Sequence, residues 1–489
     1  MPSRSGTGFV ARSHQEKLMR HPRRDQRPAF PTAGSNAVTV APSLAARRRT
    51  LAALGAGSLG LLLYGCGGID ATPSASASSA TGSQSTPPVT PPPAAPTPPV
   101  VFTLDASEML KAKQLVAAGN ASLQTSWSAL LASANAALQL APFSVVDKNM
   151  VPPSGDKHDY LSLAPYWWPD PTKPNGLPYI QRDGQINPSS KNNDSDSVRM
   201  QAFCSAIGTL TTAWFLGGDA RYADKAASLL RTWFIDPTTR MNPNLNYGQG
   251  IPGVTSGRGI GIIDTRNFWQ ITDGIGLLAS SNVLSASDLS ALNLWFADYL
   301  NWLLTSSNGT DEAAAPNNHG TFYDAQVTNL ALFTGDTATA QNALNHALTK
   351  LLPTQFDSTG KEPLELSRTR PFHYSVFNLV AFLRLAKYGA AAKVDIAHAS
   401  AVAGSPQSLQ ASVAFLAPYV ANPSSWPYQD LTGIEYDGDG NEFDGVLPVL
   451  QQAVLLYGAT PQLTAALDAV SNHLPDAVSW LQWPITTTS

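Results

Sequence analysis

The chain has 489 residues, of which 13% are charged, and its formal net charge at pH 7 is −4. Residues 1–50 contain ten Lys and Arg against two Asp and Glu, a charge of +8, so residues 51–489 carry −12. Such an acidic body excludes nucleic acid as a partner, because nucleic-acid-binding surfaces are basic. A polyanionic ligand would have to be captured by local cations, since the overall field repels it.

Residues 1–66 are predicted to be a basic N-terminal extension followed by an export signal. The apolar run 51–63 is too short to span a membrane and follows Arg47, Arg48 and Arg49, a pattern typical of export signals of the twin-arginine kind. Cys66 follows Leu-Tyr-Gly, which resembles a bacterial lipobox. We therefore expect an exported protein, periplasmic or an outer-membrane lipoprotein, with a lipid anchor at Cys66 as its only membrane contact. A plain signal peptide cut elsewhere is the alternative.

Residues 67–101 are rich in Ser, Ala, Thr and Pro and are predicted to be a disordered spacer. If Cys66 is lipidated, Cys204 has no disulfide partner. Its Ala- and Leu-rich surroundings then favour a buried, apolar role.

Residues 102–489 are predicted to form an all-α domain. Helix starts are indicated by Ser107 before Glu108, by Ser285 before Asp288 and by Pro371. About a dozen helices without a fixed sequence repeat favour an (α/α) toroid of about six to seven helical hairpins. We expect a monomer. Apolar spacings of three and four occur at 106–118, 122–140, 197–216, 219–234, 265–281, 285–304, 321–334, 336–351, 373–387, 407–419, 445–457 and 460–472.

Two long loops, 145–196 and 236–264, lack helical periodicity. Loops of this length inside a compact domain are more often functional than idle. The first loop contains aromatic residues that are predicted to form a sugar platform, because aromatic faces stack on pyranose rings. Core packing is an equal expectation for one of the tryptophans, because adjacent side chains rarely face the same way. The platform residues are Tyr160, Tyr166, Trp167 and Trp168.

Two motifs carry candidate chemistry. Asn-Asn-His-Gly at 317–320 precedes a helix, where amides, a histidine and helical N–H groups can hold a carboxylate; a helix cap with a structural histidine is the alternative. The segment 365–374 places two arginines, a histidine and a tyrosine within seven residues. The alternative to a functional role is that the arginines lie on the surface and the tyrosine packs in the core. The residues at issue are Asn317, Asn318, His319, Arg368, Arg370, His373 and Tyr374.

Together the motifs supply the parts for β-elimination from a uronate. The C5 proton is a weak acid, so the developing negative charge must be neutralised, a base must remove the proton and an acid must protonate the departing O4. Asn318, Arg368 and His319 can neutralise or abstract, and Tyr374 can deliver the proton. Whether His319 or Tyr374 is the base stays open. No metal and no cofactor are required.

The order of these motifs resembles the alginate-lyase-domain family of bacterial polysaccharide lyases. The resemblance covers roughly residues 145–390 and includes His-Asp-Tyr-Leu-Ser-Leu-Ala-Pro-Tyr-Trp-Trp-Pro-Asp-Pro at 158–171, Arg-Asp-Gly-x-x-Asn-Pro at 182–188 and Gly-Arg-Gly-Ile-Gly-Ile-Ile-Asp at 257–264. It implies an (α/α) toroid with a cleft for uronate polymers. It also implies that an Asn-His pair and an arginine surround the substrate carboxylate and that a tyrosine is the acid or base. By position these are Asn318, His319, Arg368 and Tyr374.

Further substrate-binding candidates are His158, Tyr247, Arg258, Arg266 and His373. Glu312 is a candidate for orienting His319, with a solvated loop carboxylate as the simpler interpretation.

The leading hypothesis is thus a lyase acting on poly-mannuronate alginate or a glucuronan. One alternative is an inverting glycoside hydrolase, which requires two opposed carboxylates, with Glu312, Asp264 and Asp273 as candidates. The other is a lipid-anchored glycan-binding protein without catalysis.

Overall fold

The computed structural model describes residues 98–434 and 445–485, which belong to one folded unit. The predicted extension and signal at 1–66, with Cys66, lie outside the described residues, as do positions 67–97 of the predicted spacer. Within the described ranges, no helix combines the length and apolarity needed to cross a bilayer.

Helices dominate the described chain, and the prediction of an all-α domain of paired helices is confirmed. The α-helices are α1 (Ala106–Ala117), α2 (Gln124–Leu138), α3 (Ser197–Gly217), α4 (Ala220–Phe234), α5 (Trp269–Leu278), α6 (Ala286–Thr305), α7 (Ser307–Ala313), α8 (Asn318–Thr334), α9 (Thr337–His346), α10 (Leu352–Gln355), α11 (Pro363–Leu366), α12 (Pro371–Ala392), α13 (Ser408–Ala421), α14 (Val446–Tyr457), α15 (Pro461–His473) and α16 (Ser479–Gln482).

Short 3₁₀ and π turns link several helices. A π turn, Ala347–Leu351, joins α9 to α10. The 3₁₀ turns are Ala121–Leu123, Val145–Asp147, Pro188–Ser190, Gly259–Thr265, Ala279–Ser281 and Pro423–Ser425.

Four short strands lie in the two long loops. β1 (Leu161–Leu163) pairs in parallel with β4 (Tyr247–Gly250), with Leu161 opposite Tyr247 and Leu163 opposite Gly250. β2 (Trp167–Trp168) pairs antiparallel with β3 (Ile180–Gln181). The β1–β4 pairing joins the two loops that the sequence singled out.

The helices form an inner and an outer row. The inner helices α3, α5, α8, α12 and α14 contact one another in that order, and outer helices such as α4, α6, α9 and α13 pack behind them. The inner helix α12 is buried on nearly all sides, as expected for a helix that is apolar around its circumference. The inner row thereby brings the first turns of α8 and α12 close together.

Helix starts agree with the sequence in two of three cases. Ser285 and Asp288 form a capping box at the start of α6, and Pro371 opens α12. At α1 the prediction was wrong by two residues. Asp105, not Ser107, accepts the backbone N–H bonds of the first turn, because its extended backbone precedes the helix, as a capping residue requires, whereas Ser107 is already helical.

Two buried side chains, Cys204 and Asp273, have structural roles. Cys204 is a buried free thiol, as predicted, and burial raises its pKa to about 12. Asp273 accepts hydrogen bonds from the backbone N–H groups of Phe102, Thr103 and Leu104. It therefore anchors the entry of the chain into the domain and is not an active-site acid.

Candidate active site

A cleft of about 410 Å³ lies where the two long loops meet the starts of α8 and α12. It collects residues from segments that are far apart in the sequence. The predicted site residues that line it are Tyr166, Trp167, Arg258, Arg266, Asn317, Asn318, His319, Arg368, His373 and Tyr374.

The Asn-Asn-His-Gly motif forms the first turn of α8. The helix begins at Asn318, three residues earlier than predicted, and the Asn317 side chain caps it by accepting the His319 N–H. A Cβ atom on Gly320 would lie 2.1 Å from the Ala315 carbonyl oxygen. The glycine therefore permits the close approach that brings the helix start to the cleft.

His319 is oriented by a buried carboxylate. Its Nδ1 lies 2.7 Å from Oε1 of Glu312, whose side chain is 2% exposed. With Nδ1–H donated to Glu312, the neutral ring carries its lone pair on Nε2. The structure confirms the suggested Glu312–His319 contact, and Glu312 is a helix residue of α7 rather than a solvated loop carboxylate.

Asn318 is held by a second buried carboxylate, Glu365 of α11. Glu365 Oε1 accepts the Asn318 backbone N–H and Oε2 accepts its Nδ2–H, both at 2.8 Å. Burial raises the pKa of Glu365, while the two hydrogen bonds from Asn318 oppose that rise. Both oxygens of the carboxylate are thus committed to fixing one asparagine.

Arg368 lies against Tyr374 and is paired with Asp183. Its Nη2 donates to Asp183 Oδ1 at 2.8 Å, and its guanidinium carbon lies 3.8 Å from the centroid of the Tyr374 ring. Burial opposes ionisation of Asp183, but hydrogen bonds from Arg368 and Thr369 hold its pKa below the usual value. A fixed positive charge therefore sits on the tyrosine face.

Tyr374 lies in the first turn of α12, as predicted, since its N–H bonds to the Arg370 carbonyl. Its hydroxyl donates to the Tyr166 hydroxyl at 2.9 Å. Tyr166 belongs to the long loop 145–196. The loop and the inner helix thus meet at the phenol oxygen of Tyr374.

A third wall of the cleft is organised around Gln249 in β4. Gln249 accepts hydrogen bonds from Arg258 and donates its side-chain amide to Asp264. Asp264 also accepts from Tyr160 at 3.0 Å and from Ser162 at 2.5 Å. Burial lowers the pKa of Arg258, against the attraction of Asp264, Glu312 and Asp311.

The predicted sugar platform needs correction. Tyr166 and Trp167 line the cleft, but Trp168 faces away, donates to the Gln185 carbonyl and packs on Arg182. This divergence follows from the alternation of side chains along β2. The platform role of Tyr160 is wrong, because its side chain is completely buried and its hydroxyl supports Asp264 from behind.

Three further candidates do not line the cleft. His158 bonds through Nδ1 to the Arg240 carbonyl on an exposed loop. Tyr247 begins β4 but its side chain is not part of the cleft lining. Arg370 is 2% exposed and donates to Thr432, so it holds the loop that follows α13 instead of facing ligand.

Other lining or supporting residues were not predicted. Asp183 and Glu365 lay inside the motifs 182–188 and 365–374, but nothing in their spacing assigned them a partner. Lys191, Gln201 and Gln249 line the cleft without any motif signal.

Comparison with known proteins identifies the family of the chain. The family model described as alginate lyase matches residues 144–426, more than half of the chain. A crystal structure of an alginate lyase from Bacteroides ovatus is 34% identical, with a TM-score of 0.71, and the match covers 79% of this chain and 100% of that one. Alginate lyase A1-III from Sphingomonas species A1 shares the fold at 14% identity and a TM-score of 0.51, over 77% of this chain and 95% of that one.

No curated protein sequence matches the chain. The family model and the structural match at 34% identity nevertheless both identify an alginate lyase, and each covers more than half of the chain. This chain is a member of the alginate lyase family of polysaccharide lyases.

Proposed function

We propose that the chain cleaves a uronate polymer, either poly-mannuronate alginate or a glucuronan, by β-elimination without a metal ion. The observation that carries the proposal is the convergence of Asn318, His319, Arg368 and Tyr374 on one cleft, although the two pairs are about fifty residues apart in the sequence. Each of the four has a chemical task in the elimination.

Neutralisation of the substrate carboxylate falls to Asn318, His319 and Arg368. Removing the C5 proton places a second negative charge next to that carboxylate, and preorganised donors lower the cost of this charge. The hydrogen bonds that His319 and Asn318 donate to Glu312 and Glu365 fix both side chains before substrate arrives. Arg368, held in place by Asp183, contributes a positively charged donor, so the protein itself supplies what a Lewis-acidic metal would otherwise provide.

Proton transfer falls to Tyr374, alone or together with His319. In mannuronate and glucuronate chains the C5 proton and O4 lie on the same face of the ring, so one group can remove the proton and return it to O4. Arg368 over the Tyr374 ring stabilises negative charge on that phenol. In guluronate, the C5 epimer of mannuronate, the two lie on opposite faces, and His319 would have to act as the base.

A hydrolytic reaction would require a carboxylic acid that can give up a proton in the cleft. The carboxylates among the described lining residues are Asp183 and Asp264. Asp183 is held in its ionised form by Arg368, and Asp264 accepts three hydrogen bonds from protein donors. This arrangement favours elimination.

The test is incubation with poly-mannuronate, poly-guluronate, glucuronan and chondroitin while ultraviolet absorbance of the unsaturated uronate and reducing ends are followed together. Elimination forms one double bond for every new reducing end, so both signals should rise in parallel. Reducing ends without absorbance would show a hydrolase. Retention of polymer with neither signal would show a binding protein.

The same assay identifies the residue that acts as the base and tests whether a metal ion takes part. Cleavage restricted to poly-mannuronate and glucuronan is the result expected if Tyr374 acts alone, and cleavage of poly-guluronate would assign the base to His319. Full activity after dialysis against a chelator is expected if no metal takes part.

We also propose export and lipidation at Cys66, on the strength of the sequence 47–66. Labelling of the full chain with a palmitate analogue in a bacterial host, lost in Cys66→Ser, is the expected result. Release of unlabelled protein would instead indicate a plain signal peptide.

A further inference from the structure

Arg258 is a cleft arginine whose charge is not balanced by an ion pair. No carboxylate among the described residues lies within 4.0 Å of its guanidinium, and its hydrogen bonds go to the two oxygens of Gln249, each at 3.2 Å. Arg368, by contrast, is paired with Asp183. Asp264, Glu312 and Asp311 attract the guanidinium from a distance, but none of them pairs with it, so a partly buried cation that is hydrogen-bonded only to a neutral amide can still take an anion as its direct partner.

The amide that binds Arg258 is held in an unusual conformation. Gln249 has a φ of +48°, a left-handed conformation that side chains other than glycine and asparagine rarely adopt. Its N–H donates to Ser162 Oγ at 2.8 Å, and its Nε2 donates to Asp264 Oδ1 at 2.9 Å. Both ends of the residue are thereby fixed, and the two oxygens are directed at Arg258.

The segment that carries Arg258 is also held close to β4. A Cβ atom on Gly261 would lie 2.4 Å from the Gly248 backbone, and one on Gly257 would lie 2.0 Å from the Asn246 carbonyl oxygen. The Arg258 N–H donates to the Gly248 carbonyl oxygen at 3.2 Å. Backbone and side chain of the arginine are therefore positioned by the same strand.

We propose that Arg258, positioned by Gln249, binds the carboxylate of a uronate adjacent to the reacting sugar, so that the enzyme selects chains with consecutive uronates. Arg368 is committed to the reacting sugar by its place on Tyr374, whereas Arg258 belongs to a different wall of the cleft. A homopolymeric uronate offers a carboxylate on every sugar, but an alternating polymer offers a neutral sugar next to each uronate. The inference rests on the proposed function and specifies its substrate.

The principal test compares wild type with Arg258→Gln and Arg258→Lys on poly-mannuronate and on the same polymer with part of its carboxyl groups reduced to alcohols. Arg258→Gln should raise KM on poly-mannuronate by roughly tenfold and leave kcat within about twofold, because the lost contact is not made at the reacting atoms. Arg258→Lys should recover only part of this, since an ammonium lacks the fork geometry. On the reduced polymer the difference between wild type and Arg258→Gln should shrink.

The positioning role of Gln249 is tested by glycine and alanine in its place. Gln249→Gly accepts the left-handed φ but lacks the amide, so it should show the KM increase of Arg258→Gln and unfold at a higher temperature than Gln249→Ala. In the double variant Gln249→Gly with Arg258→Gln, the two KM effects should not add. An unchanged KM in Gln249→Gly would overturn the positioning role.

A fall in kcat that is equal on the full and the reduced polymer would overturn the proposal, because Arg258 would then act on the reacting sugar. Electrophoretic retardation of the same variants in gels that contain poly-mannuronate separates this inference from the proposed function. If wild type forms no unsaturated product, the proposed function fails. Weaker retardation of Arg258→Gln would still support Arg258 as a carboxylate-binding group, and equal retardation would reject it.

Discussion

Two walls of the cleft hold the four residues to which we assign the reaction, and the two walls are supported in different ways. On the α8 wall, Asn318 and His319 bond to Glu365 and Glu312, glutamates that are 1% and 2% exposed. On the α12 wall, the partner of Arg368 is Asp183, whose side chain is 31% exposed. The first wall is fixed by the helical scaffold, whereas the second is completed by a loop.

The difference decides how each wall responds to a perturbation. Asp183 and Tyr166 both belong to the loop 145–196, so a displacement of that loop removes partners from Arg368 and Tyr374 together. Asn318 and His319 keep theirs, because Glu312 and Glu365 lie on α7 and α11. The group proposed to bind the substrate carboxylate is thus built into the scaffold, and the group proposed to transfer the proton is assembled between scaffold and loop.

The largest effect is expected from Tyr374→Phe on the α12 wall. Loss of the phenol oxygen removes the group proposed to transfer the proton, so kcat should fall by about 10³-fold, within the range for general acid–base catalysis. Affinity for the polymer in gel retardation should change little, because the ring and Arg368 remain.

Tyr166→Phe is the matched control for that variant. It removes the acceptor of the Tyr374 hydrogen bond, a neutral contact worth about 1 kcal/mol, and keeps the Tyr374 hydroxyl, so kcat should fall by no more than about tenfold. Equal damage in the two variants would mean that the hydroxyl pair, and not Tyr374 alone, carries the proton. Near-normal turnover of Tyr374→Phe would reject the assignment altogether.

The next effect is expected from Glu365→Gln on the α8 wall. A glutamine cannot accept both Asn318 hydrogen bonds, so kcat/KM should fall by roughly 30-fold at neutral pH, the cost of one disrupted charge-assisted contact. Burial raises the pKa of Glu365, so protonation should already break the contact at a pH above that of an ordinary glutamate. The wild-type advantage should therefore vanish as the pH falls.

Folding stability provides the control, because its pH dependence through Glu365 has the opposite sign to that of activity. A pKa that is higher in the folded than in the unfolded state means that the folded state binds the proton more tightly. The contribution of Glu365 to stability therefore rises as the pH falls through the folded pKa. Loss of activity at low pH together with unfolding would contradict the prediction, whereas loss without unfolding supports it.

The sequence predicts the scaffold better than the supports. Apolar periodicity located α3 and α6 within one residue at each end, because a helix that packs on one or more sides must repeat its apolar residues. It missed α7, Ser307–Ala313, in which only Gly309 and Glu312 are buried. That short helix has no apolar stripe, yet it carries the partner of His319.

In the candidate site, too, the sequence predicted the residues assigned to the reaction but not the residues that support them. Asn318, His319, Arg368 and Tyr374 were predicted because elimination requires those residue types and two motifs supplied them. Asp183 was missed as the partner of Arg368, since the two residues are 185 positions apart and only folding brings them together. Gln249 was missed because its role depends on a backbone conformation that no composition or spacing encodes.

A smaller effect is expected from Asp183→Asn, which tests the loop support of the α12 wall. The partly exposed ion pair contributes little to stability, so the melting temperature should hardly change. A less firmly held Arg368 should lower kcat by about fivefold, which corresponds to the loss of about 1 kcal/mol of transition-state stabilisation.

Arg368 and Thr369 hold the pKa of Asp183 below its usual value. The wild-type carboxylate therefore stays ionised from about pH 5 to 9, and the ratio of wild-type to variant activity should be constant over that range. Thr369→Val, which removes only the hydroxyl contact to Asp183 at 3.1 Å, should have a still smaller effect. A ratio that varies with pH as it does for Glu365→Gln would mean that both walls rely on titrating supports, and the contrast between scaffold and loop would not hold.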